Sequence, residues 1–141
     1  MRLVAEYGDC WNCGLWPPRV IADKMGDLKE ACSEVGRRFE EIKKSWHGAI
    51  FVSNDQGFLK DASKRWSSMV HPDREPWLKN ISQRDKIDPL ELVILGTPNE
   101  CIRSLEQYVD VGITHFVLLF NDFPSFDGMR LFARDVIPSF K

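Results

Sequence analysis

No apolar run in this sequence is long enough to cross a bilayer. The longest, such as Phe116 to Phe120, fall far short of the roughly 20 residues that a membrane helix needs. A surplus of one charge sign is also missing: 19 Lys and Arg stand against 21 Asp and Glu, for a formal charge of -2. The two signs are interleaved, so no basic stripe offers itself to nucleic acid. Cysteine is sparse, with Cys10, Cys13, Cys32 and Cys101 making four in 141 residues. That does not suit a disulfide scaffold, and the thiols are read as reduced in a cytoplasmic protein. The opening Met1-Arg2-Leu3-Val4-Ala5-Glu6 lacks the apolar stretch and cleavage site of a signal peptide. Repeats and low-complexity tracts are absent, as are a Walker-type loop, a G-x-S-x-G elbow and an H-E-x-x-H pair.

What is present suits one globular domain. Hydrophobic residues reach 43% and aromatic residues 11%, enough for an ordinary core and against disorder. Leu3, Val4 and Tyr7 suggest a short helix stopped by Gly8, and Asp9 to Cys13 a short extended piece. Pro17 and Pro18 fit a helix start. Ile21, Met25, Leu28, Cys32 and Val35 follow at spacings of three and four, one apolar stripe ending near Gly36. Phe39 to Lys44 leads into Ala49-Ile50-Phe51-Val52, which reads as a strand buried on both faces. Phe58, Leu59, Ala62, Trp66 and Met69 suit another helix. From His71 to Pro89 three prolines sit among charges with no sustained period, an irregular excursion with a short helix near Trp77 to Ile81.

The last third carries the clearest signals. Thr97-Pro98-Asn99-Glu100 reads as a capping box, with the Thr97 hydroxyl taking the Glu100 N–H and Glu100 reaching back. Ile102, Leu105, Tyr108 and Val109 form the apolar face of the helix, which Gly112 stops. Ile113 to Phe120 is an apolar strand interrupted only by Thr114 and His115. Met129, Phe132, Val136 and Ile137 mark a final helix ending at Pro138. Strands alternating with amphipathic helices imply parallel pairing. About three such strands leave sheet edges bare and faces partly uncovered.

Asp9-Cys10-Trp11-Asn12, Leu95-Gly96-Thr97-Pro98-Asn99-Glu100 and Gly112-Ile113-Thr114-His115-Phe116-Val117-Leu118 resemble segments of the luciferase-like monooxygenase family. The terminal Phe132-Ala133-Arg134-Asp135-Val136-Ile137-Pro138-Ser139-Phe140 extends that likeness over nearly the whole chain. The resemblance implies a flavin- or deazaflavin-dependent oxidoreductase, using FMN or coenzyme F-420. It also implies an α/β fold, a partial (β/α)8 TIM barrel over residues 1–141. About the last three β/α units would be present, since such barrels need about 250 residues. In relatives the glycine-rich turn that holds the cofactor phosphate lies upstream of the segment resembling Met1. The isolated chain is thus expected to be inactive as a monomer, and to need a missing N-terminal half or a homo-oligomer to complete the barrel. A non-catalytic partial barrel that self-associates through exposed strand edges is the rival expectation.

Parallel barrels place function at strand C-terminal ends. That selects Trp11, Asn12 and Cys13, then Ser53 and Asn54, then Asn121 and Asp122. Of these, Trp11, Asn12, Asn54 and Asn121 are the candidate cofactor contacts: an indole can wall a flavin-like ring, and amides can bond ring carbonyls or phosphate. Trp11 packing the barrel mouth and Asn12 satisfying loop backbone is the structural alternative. Cys10 and Cys13 form a lone C-x-x-C with no further ligand pair, pointing to opposite faces of a strand end. Both read as small buried hydrophobes. His115 reads as a hydrogen-bonded structural residue, His71 as an acid or base only if its loop folds over a site, and His47 as an exposed residue preceding a strand. Asp122 and Asp127 read as a turn former and a helix-start charge.

Overall fold

A computed structural model describes residues 1–70 and 87–141. The short helix expected near Trp77 to Ile81, most of the 71–89 excursion, and His71 lie outside the described residues. The chain forms two compact units, Met1–His47 with Gln107–Val117 and Gly48–Glu106 with Leu118–Lys141.

The first unit opens with α1 (Arg2–Tyr7), β1 (Cys10–Gly14) and α2 (Pro18–Val35). As its stripe predicts, α2 buries Ile21, Met25, Leu28 and Cys32. Gly36, at φ 72, ends it in the left-handed region. There the Arg37 N–H reaches back to the Cys32 carbonyl at 2.9 Å, a termination that a side chain with Cβ would strain. α1 packs on α2, where the Arg37 guanidinium donates to the Ala5 carbonyl at 3.1 Å.

A 3-10 turn (Phe39–Glu41) leads to β2 (Lys43–Val52), which begins well before the expected Ala49. β1 pairs with it in parallel, from Cys10 against Lys43 to Gly14 against His47. His47 therefore sits inside a strand and is half-buried, correcting the reading that it precedes one. Local physics conceals this strand start because two of its polar residues are satisfied indoors. The Lys44 ammonium donates to the Phe39 carbonyl at 2.6 Å and lies 3.6 Å from the centroid of the Phe39 ring. Burial lowers its pKa, and the cation–π contact offsets part of the desolvation. Ser45 bonds His115 Nδ1 at 3.0 Å, the structural role expected of that histidine. Trp46 is fully buried, its indole 4.6 Å from the Tyr108 ring and donating to the Trp16 carbonyl at 3.1 Å.

In the second unit the end of β2 pairs in parallel with β3 (Val93–Gly96), Ala49 against Val93 through Val52 against Gly96. β3 is a fourth strand beyond the three expected. Between them lies α3 (Gln56–Met69), whose Trp66 meets Phe51 edge-on at 6.4 Å and donates to the Pro89 carbonyl at 2.8 Å. The 3-10 turn Pro89–Leu92 starts from a capping box of Asp88 and Glu91. α4 (Pro98–Asp110) follows β3. Its start is only half the expected box. Glu100 does accept from the Thr97 N–H at 2.7 Å, yet the Thr97 hydroxyl donates to the same carboxylate at 2.8 Å instead of accepting. These bonds hold the Glu100 carboxyl below its ordinary range. Val109, read as part of the apolar face of α4, is 44% exposed. Gly112, at φ 100, ends that helix segment as expected.

β4 (His115–Phe120) pairs with β2. Its side chains alternate between half-buried and exposed, the period-two pattern of a strand covered on one face. Phe120 packs on Phe132 of α5 (Asp127–Asp135) at 5.5 Å. Val117 and Leu119, on the other side of the strand, remain 45% and 56% exposed. The uncovered apolar face anticipated from the sequence is thus present on this strand. A 3-10 turn (Ile137–Phe140) closes the chain.

Candidate functional site

Two places at strand ends collect the chemistry-bearing residues, one in each unit. In the first unit the chain leaves β1 through Gly14 and then Leu15, whose φ of 55 is the one positive value among the described non-glycine residues. A side chain in that region costs energy that surrounding structure must hold, and the Leu15 N–H is tied to the His47 carbonyl at 3.1 Å. Asn12 and Trp11 occupy opposite faces of β1. Trp11 is buried, whereas Asn12 is exposed and its amide oxygen lies 3.3 Å from His47 Nδ1. A strand's alternation therefore prevents these two candidates from lining one surface.

The same alternation separates Cys10, which is exposed, from Cys13, which is buried. Opposite faces were expected of this pair; burial of Cys10 was not found. The Cys13 thiol donates to the Ser45 carbonyl at 3.2 Å, and burial pushes its pKa up to about 11. A thiol so far from thiolate at neutral pH is a poor nucleophile.

In the second unit, two clefts open where β2 and β4 end. One, of about 190 Å³, is lined by Phe51, Arg65, Trp66, Met69 and Asn121. Asn121 donates its N–H to the Ile50 carbonyl at 3.3 Å, which fixes the backbone at the cleft. The other, of about 220 Å³, is lined by Val52, Ser53, Asp55, Phe58, Asp122, Ser125, Asp127, Gly128 and Leu131. Asn54, the remaining candidate, is exposed and lines neither cleft. Both volumes fall below the roughly 300–1,000 Å³ of a complete small-molecule pocket. Each holds the edge of a ring system at most.

Helix starts are the usual anion sites of such a layer, and in this unit the chain's own carboxylates occupy those of α3 and α5. Asp55 Oδ1 accepts from the N–H groups of Gly57 and Phe58 at 2.7 and 3.2 Å. Asp122 Oδ2 accepts from the Gly128 N–H at 2.8 Å, and Asp127 accepts from the Ser125 hydroxyl at 2.8 Å. These are the turn and helix-start roles read from the sequence. Three carboxylates around one cleft repel a phosphate at close range. The donor set of this unit therefore fits a ring edge and does not fit a cofactor's phosphate.

Sequence reasoning missed His47 and the spatial pairing that gives Asn12 a partner. The only local hint was a histidine and an asparagine near the two ends of a β-helix-β segment.

Neither a family model nor a curated protein matches this sequence. Solved structures do. An F420-dependent secondary alcohol dehydrogenase in complex with an F420-acetone adduct is similar over 99% of this chain and 45% of its own, at 20% identity and a TM-score of 0.75. The coenzyme F420-dependent tetrahydromethanopterin reductase from Methanopyrus kandleri is similar over 99% and 48%, at 15% identity and a TM-score of 0.74. A riboflavin lyase solved with modified FMN and riboflavin is similar over 99% and 40%, at 12% identity and a TM-score of 0.66. The likeness expected from the sequence is met at the level of fold: an α/β chain with a mostly parallel sheet that spans under half the length of each of these enzymes.

Proposed function

We propose that this chain is the barrel-forming C-terminal part of a luciferase-like oxidoreductase, contributing side chains at strand ends to an FMN or coenzyme F-420 site. The observation that carries this reading is the fold match: nearly all of the chain superimposes on less than half of an F420-dependent enzyme. In this reading Asn121 and the Phe51–Trp66 cleft meet the ring system, and Asn54, in the same unit, offers an amide to its polar rim. Asp55 and Asp122 already fill the starts of α3 and α5, so in this reading the cofactor's phosphate is held away from those two helix starts. The missing strands come from a longer polypeptide or from further copies of the chain in a cytoplasmic homo-oligomer.

Titrating the protein with FMN and with coenzyme F-420 tests this, read by flavin or deazaflavin fluorescence. Saturable binding tighter than about 100 µM, roughly 5.5 kcal/mol, that Asn121→Ala weakens is the expected result. The absence of binding by either cofactor, for the chain alone and for any oligomer it forms, overturns the reading.

The exposure of Val117 and Leu119 favours a second reading, a non-catalytic partial barrel that self-associates. Apolar residues repeating on one face of a strand are the pattern that sheet packing or edge pairing covers. Sedimentation of the purified protein separates the readings. A stable monomer at micromolar concentration removes the second, and an oligomer without cofactor affinity removes the first.

A further inference from the structure

We propose that His47 is a ligand-contacting residue that accepts a hydrogen bond from a hydroxyl group of a bound small molecule, with Asn12 as its positioning residue. The His47 imidazole occupies the space that a side chain at Gly14 would fill. A Cβ added at Gly14 would stand 1.7 Å from His47 Cε1, 2.2 Å from Nε2 and 2.4 Å from Nδ1. No residue with a side chain leaves that ring in place, so Gly14 and His47 form a matched pair across the β1–β2 register.

The ring's orientation decides its chemistry. Nδ1 lies 3.3 Å from the Asn12 amide oxygen, an atom that can only accept. In the tautomer that makes this contact a hydrogen bond, Nδ1 carries the proton and Nε2 the lone pair. A lone pair at Nε2 selects a donor, and an alcohol O–H is the simplest complement. A carboxylate, which brings only lone pairs, finds no donor at that nitrogen.

Two further observations place this histidine where a ligand can meet it. His47 is half-buried and Asn12 exposed, so the pair is not sealed in a core. It also lies against the C-terminal end of β1, the functional end of a parallel β/α layer, beside the positive φ of Leu15. Strain held at such a point by a bond to the His47 carbonyl is a recurrent mark of a working site.

The test uses the full chain, without cofactor, labelled with ¹⁵N in histidine and observed by NMR near pH 7.5. The expected result is a His47 ring protonated at Nδ1, whose Nε2 resonance shifts with added ethylene glycol and stays put with added sodium acetate. Asn12→Asp keeps this tautomer, since it keeps an acceptor oxygen, while Asn12→Ala lets the ring return to a mixture and loses most of the glycol response. A His47 ring protonated at Nε2 in the unsubstituted chain overturns the proposal, as does an Nε2 signal that glycol does not move. Because no cofactor is present, failure of cofactor binding leaves this outcome untouched, and the reverse holds.

Discussion

Two buried thiols set the alkaline limit of this fold. Burial raises Cys13 from 9.0 to about 11 and Cys101 from 9.0 to about 12. A folded pKa above the unfolded one stabilises fully below pH 9, where both states are protonated. That stability is lost as pH rises, because the unfolded chain releases protons the folded chain retains. Cys13 exhausts its share near pH 11 and Cys101 near pH 12. At about pH 10.5 each thiol has lost roughly 1.5 times 1.36, or about 2 kcal/mol, for about 4 kcal/mol together. Against a typical total of about 5–15 kcal/mol, that brings the chain close to unfolding. The assay is urea denaturation at pH 8 and at about pH 10.5, for the natural chain and for Cys13→Ala/Cys101→Ala. The double variant starts less stable at pH 8, since it loses packing, but its alkaline drop is smaller by about 4 kcal/mol. Lys44 works in the opposite direction: its lowered pKa makes stability rise toward the ordinary lysine range. It is common to both proteins and cancels in the comparison. Equal alkaline drops would refute the assignment of the limb to these thiols.

Three further outcomes follow from single contacts. Gly14→Ala drives a methyl into the His47 ring and destabilises by about 1–3 kcal/mol in urea melts; in a His47→Ala background most of that loss vanishes, giving a coupling energy above about 1 kcal/mol in a double-mutant cycle. Asp55→Ala frees two N–H groups at the start of α3 and lowers stability by about 1 kcal/mol, read as a fall of several degrees in Tm. Leu119→Glu, at an exposed position, leaves monomer stability within about 0.5 kcal/mol yet abolishes any self-association seen in sedimentation; an oligomer that survives it does not use this face.

The helices were legible because their information is local. Pro18 and Gly36 bracket α2 by backbone chemistry alone, and the stripe from Ile21 to Cys32 states which face is buried. β4 was legible as an apolar run. The first half of β2 was not, because Lys43-Lys44-Ser45-Trp46-His47 shows no period of two. Lys44 enters the interior only because the Phe39 carbonyl and ring, brought close by a turn, receive its ammonium. β3 escaped notice because its few residues read as the approach to a helix start.

The candidate site was legible in part for the same reason. The strand-end rule chose Asn121, which directly follows β4, and Asn12, which lies at the middle of β1. It also drew in Trp11, which the alternation of β1 sends to the other face, and Asn54, which lines no cleft. His47 was invisible, since its meaning depends on a glycine in a different strand. Asp122 and Asp127 were read correctly because helix starts attract carboxylates wherever they occur.

A bare pair of branched aliphatic residues on β4 also governs how this protein behaves in a test tube. Sulfate and phosphate are excluded from protein surfaces and favour whatever shrinks the wetted area, so they are expected to strengthen the self-association proposed for the face of Val117 and Leu119. Dilute urea, which solvates such patches, is expected to weaken it. The expected sign of that proposed contact is a mass on a sizing column that follows buffer composition, and equal weights in the two buffers would count against it.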